Sequence, residues 1–250
     1  MKFVGIVQAR MGSTRLPGKS MMLCAGQPLL GRMLVRLQGA MLDELIVATT
    51  INSEDDVLVD YVQGLGIKVF RGSVNDVLDR YWRAADEANA DAVVRLTGDC
   101  PLADHAVINR VVNVFKETGA DYACNTQPPT FPDGFDTEVL SKAALTAAHE
   151  EAHLPSDREH VTSYIWKNPE KFRLVNVRNE IDWSAIRLTV DQCEDLELVQ
   201  KIFLEMDKRD HYGGLNEIVE IWQSNPEWQS LNAGIGRNEG YQKSVAKDAV

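Results

Sequence analysis

Residues 8–19, QARMGSTRLPGK, place two glycines, two hydroxyls and three cations within twelve positions. Gly12 and Gly18 allow backbone N–H groups to approach an anion closely, Ser13 and Thr14 can donate hydrogen bonds, and Arg10, Arg15 and Lys19 supply positive charge. The chemistry served by that combination is the cradling of phosphates, with a nucleoside triphosphate as the expected ligand. A Walker-type P-loop needs four residues between its glycines and a helix directly after. Here five residues separate Gly12 from Gly18, Pro17 lies among them, and SMMLCAGQP follows without starting a helix. No GxGxxG occurs, which argues against a dinucleotide site. Taken alone, the loop could also be a solvated basic turn.

The elements around the loop favour a ligand site. Residues 2–7, KFVGIV, form a compact, β-branched apolar run that reads as a buried strand ending at the loop. Leu30, Met33, Leu34 and Leu37 then recur at helical spacing over residues 29–39. The alternation continues with strands at 44–49, 67–70 and 92–96 and helices at 54–64, 76–89 and 104–119. Strands separated by such helices imply right-handed crossovers and a mainly parallel sheet. Open α/β sheets bind ligands beyond the carboxyl ends of their strands. That rule selects the loops at 9–19 and 97–103. After Gly119 the pattern changes to short strands at 122–125, 136–140, 172–177 and 185–190, a Pro-rich loop and a helix-like segment at 159–167. Helices at 194–207 and 215–224 precede a polar tail. The expected fold class is a three-layer α/β/α, Rossmann-like, single domain over residues 1–250. Residues 120–180 are expected to form a small antiparallel insertion for acceptor binding or dimerisation.

Composition narrows the function classes. The chain has 250 residues, 44% hydrophobic and 25% charged, which suffices for a sizeable core. A formal charge of -11 argues against a general nucleic-acid binder, whose affinity depends on clustered Lys and Arg. It does not argue against a small nucleotide in a locally positive pocket. Cys24, Cys100, Cys124 and Cys193 form no CxxC pair, so neither zinc nor a disulfide framework is expected. No apolar run approaches the ~18 residues of a membrane span, and the start does not read as a signal peptide. A cytoplasmic protein with no membrane or nucleic-acid partner is expected.

VQARMGSTRLPGKSM resembles the opening signature of the cytidylyltransferases that activate sugar acids as CMP derivatives, including the Kdo and acylneuraminate enzymes. The chain is most similar to the spore-coat polysaccharide biosynthesis protein F-like branch. Further matching segments follow in order: FRGSVNDVLDRY, VVRLTGDCPL, DGFDTEVLS, REHVTSYIW, RLTVDQCEDLELV and RNEGYQKS. The resemblance implies transfer of CMP from CTP to an oxygen of a sugar or sugar acid, with Mg2+ as cofactor and a homodimer as the assembly. It also implies magnesium-binding aspartates at the positions of Asp99 and Asp191. Each of these ends a predicted strand, where a lone Asp would otherwise be a turn former or helix N-cap.

By the same resemblance Gln8, Ala9, Arg10, Gly12, Ser13, Thr14, Thr97 and Gly98 would hold the nucleotide. Arg15, Lys19 and Asp99 would be catalytic. Kdo-type relatives carry Gln-Gly-Asp where this chain has Thr97, Gly98 and Asp99, and that glutamine is implicated in reading the base. On the acceptor side Arg71, Ser73, Asp76 and Arg80 lie at the exit of the third predicted strand and the start of its helix, and for Glu138, Glu159 and His160 in the inserted region the resemblance implies contacts to the acceptor or across a dimer. Asp76 and Arg80, four apart, could instead be a helix-surface ion pair. His160 could be a base or structural. Tyr81, Trp82 and Trp166 have the spacing of core residues, and Asp195 reads as a first-turn helix residue. The alternatives to a cytidylyltransferase of sugars are one for a non-sugar anionic acceptor and a glycosyltransferase of GT-A type. Asp99, Cys100 and Pro101 make no DxD motif of the latter kind.

Overall fold

The structure, a computed structural model, describes residues 1–209 and 213–248. Strands β1 (Phe3–Gln8), β4 (Glu44–Thr50), β5 (Lys68–Gly72) and β6 (Ala92–Thr97) form a parallel block, and β2 (Leu23–Cys24) pairs with β3 (Gln27–Pro28) in a separate two-stranded hairpin. Helices α1 (Leu29–Arg36), α2 (Asp56–Gly64), α3 (Val77–Glu87) and α4 (His105–Thr118) make the crossovers. These elements lie within a few residues of the sequence expectation. Residues 120–180 supply β7 (Tyr122–Cys124), β8 (Glu138–Ser141) and β9 (Leu174–Asn176), which extend the same sheet in the order β5-β4-β1-β6-β8-β7-β9. Antiparallel pairing occurs where β8 meets β6 and β7.

Side-chain alternation on β1 explains the layers. Phe3 and Val7 enter one core with Leu30, Met33, Val111 and Phe115, while Val4 and Ile6 enter the opposite core with Leu78, Tyr81 and Ala84. Tyr81 is fully buried and its hydroxyl donates to the Ile6 and Leu96 carbonyls, so it is a core residue as its spacing suggests. A third core joins Leu16 and Cys24, just beyond β1, to Leu188, Val190 and helices α8 (Cys193–Lys208) and α9 (Leu215–Gln223). Leu16 thereby ties the glycine-containing loop to the C-terminal half.

Four local expectations are corrected. Residues 185–190 form no strand of the sheet, and Arg187 makes a single isolated bridge with Asp133. Their alternating Ile186, Leu188 and Val190 fill the third core, and their backbone bonds go to Asp99 and Asp133. The segment at 159–167 is two short helices, α6 (Pro155–His160) and α7 (Ser163–Lys167), broken at Val161, whose φ is +64°. Helix α5 (Lys142–Glu151) was not foreseen, although the Ser141 side chain caps it by accepting from the Ala144 N–H. The polar tail contains helix α10 (Glu239–Asp248).

Candidate active site

In the sheet register Gln8 faces Ala48 on one side and Thr97 on the other, so the loops leaving β1 and β6 start side by side. Gly98 is required there by close approach. A Cβ at that position would lie 2.9 Å from the Ala9 Cβ and 3.0 Å from the Gln8 carbonyl oxygen. The loop after β1 folds back through Ser13 and Gly18, whose N–H groups both donate to the Met11 carbonyl at 2.8 Å. Gly18 adopts φ +75°, the left-handed conformation that favours glycine. Asp55 fixes the loop's beginning by accepting from the Met11 N–H at 2.7 Å, and its other oxygen takes Thr50. Burial opposes ionisation of Asp55, but these donors hold its carboxyl below the usual range. Sequence reasoning missed Asp55, whose only signal is its place just after β4.

The two loops and residue 191 converge on one ammonium. Lys19 Nζ donates to Asp99 Oδ2 at 3.1 Å, to Asp191 Oδ1 at 2.9 Å and to the Val190 carbonyl at 2.8 Å. Burial opposes the charge on Lys19, yet the two carboxylates outweigh it and raise its pKa. Burial likewise opposes ionisation of Asp99, but Lys19 and the Thr97 hydroxyl lower its pKa to about 2. Asp191 also receives Arg15 at 2.7 Å and Arg187 at 3.2 Å.

Arg187 is the centre of the support for Asp191. It is buried and joins Asp133 at 3.0 Å, Asp191, and Asp195 through two bonds of 2.9 Å. Asp195 is fully buried and accepts from the Asp191 and Gln192 N–H groups and from Asn232. It is a positioning residue as well as part of the capping box of α8. The recurrence of Arg187, Asp191 and Asp195 at four-residue intervals was the available signal.

The backbone of residues 186–190 rides on Asp133 and Asp99, with Leu188 N donating to the Asp133 carbonyl at 2.7 Å and Val190 N to the Asp99 carbonyl at 2.8 Å. Gly134 lets them approach: its φ is +111°, and a Cβ there would lie 2.7 Å from the Leu188 carbonyl carbon. Gly134→Ala is therefore expected to lower the thermal unfolding midpoint by roughly 5 °C, from left-handed strain plus backbone displacement. Scanning calorimetry of the two proteins would check it.

A cavity of 330 Å³ opens over this cluster. Of the sequence-selected residues it is lined by Gln8, Ala9, Arg10, Ser13, Thr14, Arg15, Lys19, Arg80, Thr97, Gly98, Asp99, Glu159, His160 and Asp191. Gly12 is not on its wall and packs instead against Glu54, 2.7 Å from where a Cβ would stand. Arg71, Ser73 and Asp76 are not brought there either. Arg71 binds Asp56 and the Thr50 and Asn52 carbonyls, Ser73 accepts from the Asp76 N–H, and Asp76 caps α3 while pairing with Arg158 at 2.6 Å. Among the described residues the Arg80 side chain thus makes no ion pair with Asp76. It is 2% exposed, and its Nε and Nη1 have no hydrogen-bond partner among the described residues.

His160 connects this cavity to a second one of 520 Å³, whose walls include Arg95, Asp136, Glu138, Trp166 and Tyr241. Glu138 is engaged by Arg95, Tyr122 and Thr162. The His160 Nε2 has no partner among the described residues, and burial holds its pKa below the usual value. Trp166 stands 5.5 Å from Tyr241 on the cavity wall, which is not the purely core position its spacing suggested.

The arrangement gathers cations and the two carboxylates Asp99 and Asp191 around a polar cavity, which suits a polyphosphate. Comparison with known proteins agrees. The family model described as cytidylyltransferase matches residues 4–230. The uncharacterized protein MJ1063 of Methanocaldococcus jannaschii is 35% identical over 97% of this chain and 99% of its own. The spore coat polysaccharide biosynthesis protein SpsF of Bacillus subtilis is 30% identical over 89% of this chain and 94% of its own. A cytidylyltransferase structure from Leptospira borgpetersenii superposes with a TM-score of 0.86 at 35% identity, covering 92% of this chain and 97% of that one. On these grounds the chain belongs to the cytidylyltransferase family of nucleotidyl-transferring enzymes, in the branch that includes SpsF.

Proposed function

We propose that this enzyme transfers CMP from CTP to an oxygen of a sugar or sugar acid, with Mg2+ and release of pyrophosphate, for a surface polysaccharide or glycan. The observation that carries this reading is the Lys19 ammonium held between Asp99 and Asp191 at the mouth of the glycine-containing loop. The donor set fits magnesium. Two carboxylates converge there, and Asp99 Oδ1 receives the Cys100 thiol at the long distance of 3.7 Å, which leaves it capacity for a hard cation completed by phosphate oxygens and water. When bound, the metal neutralises developing phosphate charge.

The acceptor oxygen attacks the α-phosphorus as the bond from that phosphorus to the bridging oxygen of pyrophosphate breaks. Positioning and charge stabilisation are the protein's main contributions. Arg10, Ser13 and Thr14 bind the nucleotide, and Arg15 and Lys19 stabilise the charge passing to pyrophosphate. Neutral His160, between the two cavities, can accept the proton of a hydroxyl nucleophile through its free Nε2. An acceptor in the second cavity faces the aromatic rings of Trp166 and Tyr241.

Arg80 gives a separate check. Its buried donors have no partner among the described residues and can be satisfied by an anion entering the cavity. Arg80→Met is expected to keep or raise the unfolding midpoint while weakening CTP binding by about tenfold or more, the order of a lost charge-assisted hydrogen bond. Calorimetric titration with CTP and a melting curve read the two effects separately.

The proposal is tested by supplying CTP, UTP, ATP and GTP in turn with Mg2+ and a panel of sugars and sugar acids. CTP-selective pyrophosphate release is expected. Release of a nucleoside diphosphate from a nucleotide sugar, with no turnover of any triphosphate, would contradict it.

A further inference from the structure

Helix α10 lies outside residues 4–230, the span matched by the family model, and yet it walls the cavity. Gly240, Lys243, Ser244 and Lys247 all line it, at the i, i+3, i+4 and i+7 spacing that puts them on one helix face. Tyr241, turned toward the second cavity, contacts His160 and Trp166 at ring-centroid distances of 5.0 and 5.5 Å. The helix is held at intervals along its length. Glu239 stands 4.0 Å from Arg15, Ser244 donates to Glu159 at 2.8 Å, and Asp248 accepts from the Ser156 N–H at 3.0 Å. It therefore runs from the phosphate-binding loop across α6.

Charge shows what this placement achieves. The cavity wall carries six cationic side chains, Arg10, Arg15, Lys19, Arg80, Lys243 and Lys247, against the carboxylates Asp99, Glu159 and Asp191. Without α10 the positive margin of the side chains falls to a single charge, which leaves the remainder of a triphosphate's charge to the metal. Moreover, Lys19 and Arg15 are already engaged by Asp99 and Asp191. Lys243 is 69% exposed and, among the described residues, pairs with Glu239 alone, at 3.7 Å within its own helix. Its ammonium is free to move onto a ligand.

We propose that α10 is a polyphosphate-binding strap, in which Lys243 and Lys247 bind the β- and γ-phosphates of the nucleotide and so hold the helix over the site. This rests on the CTP reading above and adds two residues to it. The terminal phosphates leave as pyrophosphate, so the same lysines hold the helix before transfer and lose their tether once pyrophosphate departs.

Calorimetric titration of wild type and the double variant Lys243→Ala/Lys247→Ala with CTP and with CMP, in the presence of Mg2+, separates the possibilities. Both lysines are exposed, so unchanged melting curves are expected. CTP affinity should fall by about tenfold, the order of two exposed charge contacts, while CMP affinity stays within about twofold. The Lys→Arg double variant should restore CTP binding. In wild type, CTP but not CMP should slow amide hydrogen exchange across α10. Equal CTP affinity in the variant, or an equal loss for CTP and CMP, would overturn the strap while leaving the CTP reading in place. Absence of CTP binding by wild type would overturn both.

Discussion

Lys19→Ala is expected to reduce pyrophosphate release from CTP by about two to three orders of magnitude, the range seen when a preorganised charge stabiliser is removed. Lys19 does two things that no neighbour can replace. Its ammonium is the one group bonded to both Asp99 and Asp191 among the described residues, and it faces the cavity where charge passes to the leaving group. Arg15 and Arg187 still neutralise Asp191 in the variant, but Asp99 loses its only ion-pair partner among the described residues. Burial then weighs more heavily on Asp99, opposed by the Thr97 hydroxyl without the ammonium, and its pKa should rise from about 2 in the native protein. The sign of the stability effect follows. A depressed carboxylate pKa contributes stability that is complete above the unfolded-state pKa and lost as pH falls toward 2. The variant should therefore lose its advantage at neutral pH and differ least from wild type in strong acid. Pyrophosphate assays and melting curves across pH would read both effects.

Asp99→Asn has an effect of comparable size and a different signature. The substitution keeps shape but removes a negative charge, leaving the Lys19 ammonium paired with Asp191 alone. A neutral amide is a poor ligand for a hard cation competing with water. Turnover should fall by about two orders of magnitude or more, and the residual activity should require a higher Mg2+ concentration. Lys19→Ala should not raise that requirement, because it frees Asp99 while Arg15 and Arg187 stay on Asp191. A magnesium titration of the two variants side by side distinguishes loss of a metal ligand from loss of a cation. Unaltered turnover in Asp99→Asn would remove Asp99 from the site.

The parallel half of the fold was legible because its determinants are local. Continuous apolar runs such as KFVGIV can satisfy a strand buried on both faces, and the glycine-containing loop declares its anion chemistry in twelve adjacent residues. What remained hidden depended on partners distant in sequence. Ile186, Leu188 and Val190 alternate like a strand, but the segment bonds to the backbones of Asp133 and Asp99 instead of joining a ladder. Asp76 and Arg80 are correctly spaced for a helix-surface pair, yet Asp76 turns to Arg158, eighty-two positions away, and leaves Arg80 to the cavity. Asp195 resembles an ordinary first-turn acid until Arg187 is seen against it. Helix α10 was hidden by its polarity, since a helix that covers a charged cavity lacks the apolar stripe by which helices are recognised.

Phosphorus-31 NMR of wild-type enzyme with CTP, Mg2+ and the acceptor panel tests the proposed transfer most directly. The expected result is one new CMP phosphodiester resonance for each pyrophosphate formed, with the CTP resonances consumed in step and no change in Lys19→Ala. CTP left intact with every acceptor, or hydrolysed to CMP and pyrophosphate with no phosphodiester product, would contradict it.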